Sequence, residues 1–357
     1  MTSGRRGYLD WLRGLAVLIM IGAHVLDSWT RYADRDAAIF GYAMMVAGFG
    51  APLFLFLAGL SVALSAGAKL RRGRPAREAA RAVARRGVEI FALAFLFRLQ
   101  SVVVSWGSWA SMLKVDILNI MGPCIVAAAL LWGALRTTAA RLAAFVLVAA
   151  AIGFATPPVR GLEALAALPD PLEAYIRPLP ALTAFPLFPW AGFVFAGAAV
   201  GVILEKRRSP PSERQANLQF AATGALLAAG AYAASFQPSP YANSNFWTSA
   251  PSFFFLRLGI LVAAVPLAFA WRNGRTRWSP VEQIGRTSLF IYWIHIELIY
   301  GLMVRPLHKA LSLGEAAAGV VLFTALMVAV SVLKERLWDS RRVLMRTGGG
   351  RPEAQTL

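Results

Sequence analysis

Residues 10–24 read DWLRGLAVLIMIGAH, and Asp10, Arg13 and His24 are out of place in so apolar a segment. A charge in hydrocarbon costs roughly 2.5–3.5 kcal/mol on insertion scales, so it marks either a site or a buried partner. At about 100° per residue, Asp10, Arg13, Val17, Met20, His24 and Ser28 share one helical stripe, with Asp27 at its border. His24 then lies about 20 Å along the helix from Asp10. Asp27, three residues on, is spaced to orient the imidazole and stabilise its protonated form. A histidine held in this way is a candidate general base. The structural alternative is a helix–helix hydrogen bond, a common use of polar residues within membranes.

A second constellation sits in GRTSLFIYWIHIELIYG, residues 285–301. On a continuous helix Ser288, Tyr292 and His295 share a stripe, while Arg286 and Glu297 lie on roughly the opposite side. Further ionisable residues interrupt apolar segments at Arg98, Arg257 and Asp116, the last one turn from Asn119. Together they predict a polar chamber inside a helical bundle, lined by both signs of charge.

The elements that must position these groups follow from composition. Of 357 residues 58% are hydrophobic and only 15% charged, too little charge to cover a soluble chain of this length. The apolar residues fall into blocks of about twenty, the length that crosses a bilayer. Ten spans are expected, at 11–29, 44–67, 87–106, 115–135, 139–156, 185–204, 216–235, 252–271, 283–304 and 316–334, forming one domain over 8–335 with a basic cytoplasmic tail at 336–357, disordered from about Arg341. With the N-terminus inside, 25 of the 36 Lys and Arg fall in inner segments, seven in outer ones and four within spans. The positive-inside bias therefore predicts that both termini are cytoplasmic. It also accounts for the net charge of +18 without nucleic acid. RRGYL before the first span faintly resembles a twin-arginine export signal, but Asp10 and Arg13 interrupt the apolar run and no cleavage site follows, so a retained span is expected.

Two segments are candidates for ligands. The inner run KLRRGRPAREAARAVARR (69–86) is read first as a topology determinant, and secondly as a dock for an anionic, phosphate-rich cytosolic ligand through Arg71, Arg72 and Arg74. The outer loop FQPSPYANSNFWTSAP (236–251) has no charge but offers amides beside aromatic rings, Trp247 among them, which suits a sugar as well as it suits an interfacial belt. The single Cys124 excludes an internal disulfide, and with three histidines, at 24, 295 and 308, no histidine-rich metal site is expected.

Arg13, ten residues and then His24 resembles the arginine-to-histidine signature of the acyltransferase-3 membrane family. The wider pattern resembles the heparan-α-glucosaminide N-acetyltransferase catalytic-domain family, in its bacterial branch. It is carried by YLDWLRGLAVLIMIGAH, GAPLFLFLAGLSVAL (50–64), LKVDILNIMGP (113–123), FPLFPWAGFVFAGAAVG (185–201) and GRTSLFIYWIH (285–295). The match is strongest over 8–230, with 283–304 as a second polar helix.

The resemblance implies an integral-membrane acyltransferase that moves an acyl group, usually acetyl from cytosolic acetyl-CoA, to an extracytoplasmic sugar or glycan. His24 would be the base or acyl carrier, with Asp27 and Arg13 beside it. Asp10, Arg13, Arg71, Arg72, Arg74 and Arg286 would face the donor, and Arg98, Asp116, Asn119, Tyr292, His295, Glu297 and Trp247 the acceptor. No metal is expected. The animal lysosomal branch has asparagine where His24 stands and its histidine in the segment after this helix, whereas residues 25–43 here hold none. Amine acetylation is therefore not carried over. The competing class is a secondary transporter using the buried Arg, Asp and His as a proton relay. A homodimer in a bacterial inner membrane is compatible with either reading, although Gly192 and Gly197 miss the four-residue spacing of the small-residue dimer motif.

Overall fold

The computed structural model describes residues 6–104, 106, 108–242, 244–275 and 277–347, which form helices and turns without a β-strand. In chain order the α-helices are α1 (Gly7–Trp29), α2 (Ala38–Ala47), α3 (Gly50–Arg71), α4 (Ala76–Val104), α5 (Ile117–Ala134), α6 (Thr138–Arg160), α7 (Asp170–Ile176), α8 (Leu187–Lys206), α9 (Pro210–Ala234), α10 (Pro251–Arg272), α11 (Pro280–Arg286), α12 (Ser288–Tyr300) and α13 (Leu313–Thr347). Eight segments are long and apolar enough to cross a membrane: α1, α2 with α3 as one unit, α4, α5, α6, α8, α10 and α13 as far as Trp338.

The two remaining expected spans are present in altered form. The 25-residue α9 is long enough but less apolar, and the segment expected at 283–304 is broken into α11 and the 13-residue α12. The break falls at Thr287, whose φ/ψ of −107°/17° leaves the helix. Its hydroxyl lies 3.3 Å from Ile284 O, a local alternative to the helix ladder that hydroxyl side chains readily offer, and also meets Ser331 Oγ of α13 at 2.7 Å.

Other boundaries also differ from the sequence expectation. The basic run 69–86 is not a loop: α3 reaches Arg71, α4 begins at Ala76, and only residues 72–75 turn between them, with Gly73 at φ +83°. The Ala- and Arg-rich stretch after Pro75 is made of strong helix formers, which extends α4 beyond its apolar part. Likewise α13 continues to Thr347, so residues 341–347 are helical where disorder was expected.

Helix ends gather on two faces. On one, Arg6 Nε donates to Glu213 Oε1 at 2.6 Å, Arg71 pairs with Glu205, and Arg272 Nη2 donates to Glu282 Oε2 at 2.5 Å. On the other, Asp27 meets Arg35 and Lys309, and Thr30 is bridged to Leu311. Asp34 ties the same face together, accepting from Arg31 Nε and the Leu313 backbone N–H, both at 2.8 Å. The Arg31 hydrogen bond first, and the Leu313 bond second, hold its carboxyl below the usual range. We call the first the basic face and the second the opposite face.

α1 runs through the middle, touching α2, α3, α10, α11, α12 and α13, while α3 packs most extensively on α8. Close approaches on both α1 and α8 are made at glycines. A Cβ on Gly14 would sit 1.7 Å from Val281 O, and one on Gly197 would sit 1.8 Å from Phe56 O. Small residues let membrane helices approach in this way, so Gly197 is used within the chain, between α8 and α3. Gly197→Val should therefore cost at least about 1–3 kcal/mol through overpacking. The check is thermal unfolding in detergent, where a melting curve matching the wild type would contradict the packing described.

Candidate active site

A cavity of about 1440 Å³ extends along α1, with lining residues from the basic-face side of the bundle and from the other side. At the basic end its lining includes Arg13, Lys69, Arg86 and Arg286; at the opposite end it includes Arg98, Lys114, Asp116, Arg160, Trp247 and Arg257. His24 lines it between the two groups.

The basic end is built from helical spacing. Asp10 and Arg13 are three residues apart on α1, and Arg13 Nη1 donates to Asp10 Oδ1 at 2.6 Å. Arg13 Nη2 donates to Ser61 Oγ of α3 at 2.7 Å, and Ser61 donates onward to Leu57 O at 2.6 Å. Asp10 itself is buried and outside the lining, so it holds the guanidinium rather than facing the cavity. Arg286 donates to Glu282 Oε1 at 2.7 Å. Because the helix is broken at Thr287, Arg286 shares the cavity with Ser288 and Tyr292 instead of lying opposite them, as a continuous helix would require.

The sequence pairing of His24 with Asp27 is corrected by geometry. The Asp27 carboxylate accepts from Arg35 Nη2 at 2.9 Å and lies 3.9 Å from Lys309 Nζ, on the opposite face. The neighbour of the His24 ring is His295 of α12. His24 Nδ1 lies 2.9 Å from His295 Nε2, with the rings within 7° of parallel and their centroids 5.1 Å apart. His295 is fully buried, and its Nδ1 lies 3.0 Å from Ile291 O and 2.8 Å from Tyr292 O. It is absent from the cavity wall, contrary to its expected place against a substrate. Tyr300 stands edge-on to His24, ring centroids 5.7 Å apart.

At the opposite end Arg98 Nη2 lies 3.0 Å from Asp116 Oδ2, an ion pair whose atoms are not aligned as a hydrogen bond. Asp116 is also the N-cap of α5, accepting from Leu118 N and Asn119 N, while Asn119 Oδ1 returns the bond from Asp116 N at 3.1 Å. This capping box explains Asn119 as a structural residue, buried and outside the lining. Arg257 holds its guanidinium 4.0 Å from the Phe253 ring centroid, and its buried Nε has no hydrogen-bond partner. Arg160 bonds the carbonyl of Phe188 through Nε and Nη2. Trp247 packs edge-on to Phe246 and Phe253.

The cavity thus gathers Arg13, His24, Arg286, Arg98, Asp116, Tyr292 and Trp247. It does not gather Arg71, Arg72 and Arg74, which are exposed on the basic face, nor Glu297. Lys69 and Arg86 bound the basic run expected to dock a phosphate-rich ligand, whereas Ser61, Arg160 and Tyr300 were not expected as site residues. Ser61 carried a signal, a polar residue in the apolar run GAPLFLFLAGLSVAL, and Arg86 closed the basic run; Tyr300 carried none.

The bundle therefore encloses a histidine beside a cavity with cationic side chains on either side of it. The chain belongs to the family of the heparan-alpha-glucosaminide N-acetyltransferase catalytic domain, whose sequence profile matches residues 5–232. The match covers α1 to most of α9 and includes Arg13 and His24; Arg257, Arg286 and His295 lie beyond it. A comparison with curated proteins finds no match. Family membership and the apolar helices together define a multi-pass membrane acetyltransferase.

Proposed function

We propose that the protein transfers an acetyl group from acetyl-CoA, entering at the basic face, to a saccharide entering at the opposite face, with His24 as the base between them. The observation that carries this reading is one cavity lined by both cationic groups and by His24, about 16 Å along α1 from Arg13. In the orientation the positive-inside bias favours, the basic face is cytoplasmic in a bacterial inner membrane, and α9 and the α11–α12 pair complete ten crossings. The single domain is then 8–335 with the basic segment after it inside, and a homodimer remains compatible with this layout.

Arg13, Lys69, Arg86 and Arg286 suit the phosphates of CoA, which guanidinium groups bind through paired hydrogen bonds. At the opposite end Lys114, Arg160 and Arg257 have no carboxylate partner among the described residues and favour an acceptor bearing negative charge, while Trp247 offers a ring for a sugar face. In the transfer, the acceptor heteroatom attacks the thioester carbonyl as His24 takes its proton. The C–S bond then breaks, and the proton passes from His24 to the CoA thiolate as it leaves. Binding the two substrates from opposite ends of one cavity brings them together at the ring.

The exposed Arg71, Arg72 and Arg74 are assigned a steering role at the cytosolic mouth. Charge reversal at all three should raise the KM for acetyl-CoA about two- to fivefold at low salt, with the difference vanishing near 0.5 M salt. An unchanged KM at low salt returns this patch to membrane topology alone.

The test of the function is turnover of [14C]acetyl-CoA by protein purified in detergent, with glucosamine, glucosamine 6-phosphate and muramic acid as acceptors. Label on a sugar supports the reading. Binding of these sugars without any release of CoA would instead identify a transporter, and neither binding nor release would overturn the proposal.

A further inference from the structure

We infer that His295 is a positioning residue that fixes His24 in the tautomer whose Nε2 presents its lone pair to the cavity. The inference deepens the proposed acetyl transfer and rests on it for its kinetic consequences, while the tautomer itself follows from hydrogen-bond chemistry.

His295 Nδ1 faces two backbone oxygens, of Ile291 at 3.0 Å and Tyr292 at 2.8 Å. Carbonyl oxygens only accept, so Nδ1 of His295 must carry the hydrogen. A neutral imidazole has one donor and one acceptor nitrogen, which makes His295 Nε2 an acceptor. The atom 2.9 Å from it is His24 Nδ1, which must therefore donate. His24 then has its hydrogen on Nδ1, and Nε2 is left with the lone pair. That nitrogen has no hydrogen-bond partner among the described residues, and its ring forms part of the cavity wall.

The order of the two rings matters for the proton count. When His24 takes a proton from an acceptor, the new N–H forms at Nε2 and the Nδ1–H bond to His295 is kept. His295 stays neutral throughout, since its Nδ1–H is held by the carbonyls and its Nε2 is occupied in accepting. One proton enters at Nε2 of His24 and leaves from the same atom to the departing thiolate. The arrangement resembles the orienting half of a hydrolase triad, except that a neutral histidine on a broken helix stands where a carboxylate would. Asp27, bound to Arg35 on the opposite face, is not needed for it.

Two substitutions separate this role from packing. A glutamine at 295 can place its amide oxygen where Nε2 now accepts, whereas leucine fills the space without an acceptor. His295→Leu should lower kcat on the order of tenfold or more, with the KM for acetyl-CoA within twofold of wild type, and His295→Gln should recover most of the loss. In a His24→Ala background His295→Leu should add no further loss, because the two act as one unit. Equal loss in both backgrounds, or wild-type kcat in His295→Leu, overturns the inference.

A measurement on the unsubstituted protein needs no variant to fold. Solid-state NMR of 15N,13C-histidine-labelled protein at pH 8 in lipid should show both interacting rings in the Nδ1–H form. Either ring in the Nε2–H form overturns the assignment. If the wild-type protein transfers no acetyl group, the function proposed above fails while this spectrum still decides the tautomer.

Discussion

His24→Ala is expected to lower kcat for acetyl transfer by about 10²–10⁴, the usual contribution of a positioned acid–base group, and to leave the affinity for acetyl-CoA unchanged. The separation of kcat from affinity follows from the distances. The cations suited to the CoA phosphates belong to the basic end, about 16 Å along α1 from the imidazole, so removing the ring deletes the proton acceptor but no phosphate contact. Single-turnover mixing with [14C]acetyl-CoA measures the chemical step, and equilibrium binding of the same ligand measures affinity. Added imidazole should restore part of the rate, because the ring space opens onto a large cavity. A variant that turns over at the wild-type rate would remove His24 from the chemistry, and one that no longer binds acetyl-CoA would place the donor at the ring rather than at the arginines.

Asp116→Asn should be the most destabilising conservative change at the opposite end. It keeps an N-cap for α5 but leaves Arg98, only 15% exposed, without its counter-charge. Breaking a buried pair by removing one partner costs more than the intact pair contributes, here about 2–4 kcal/mol after discounting for water in the cavity. The double variant Arg98→Met/Asp116→Asn should recover most of that loss, since no charge is stranded. Asp116→Ala should be worse than Asp116→Asn by about 1 kcal/mol, the worth of the cap. Unfolding in detergent followed for all four proteins checks the series. Equal stability of Asp116→Asn and wild type would show that the pair is solvated.

The stripe on α1 was legible because a single helical period links Asp10, Arg13 and His24, and nothing interrupts α1 between Gly7 and Trp29. The Asp116–Asn119 box was visible as two polar residues three apart, though its meaning as a cap required the chain to enter α5 in extended backbone at Asp116. Other features depended on partners that sequence spacing cannot announce. Asp27 is in reach of His24 along one helix, yet Arg35 from the next turn and Lys309 from the far end of the chain claim its carboxylate. His295 was visible as a polar residue in an apolar run, but its contact with His24 of α1 joins residues 271 apart, which no local spacing announces. The break at Thr287 moved Arg286 from the expected far side into the cavity. The basic run was read by charge alone, and its helix propensity, which sends Arg86 into the cavity wall and leaves Arg71, Arg72 and Arg74 outside, was the signal passed over.

In the proposed function one imidazole serves substrates from two sides of a membrane. Proteoliposomes with a single protein orientation, glucosamine 6-phosphate sealed inside and [14C]acetyl-CoA supplied to the basic face outside, test it most directly. Acetylated sugar is expected to accumulate in the lumen, at a rate lost in His24→Ala vesicles. Label that stays wholly outside as acetyl-CoA, or lumenal product formed equally by wild-type and His24→Ala protein, would contradict it.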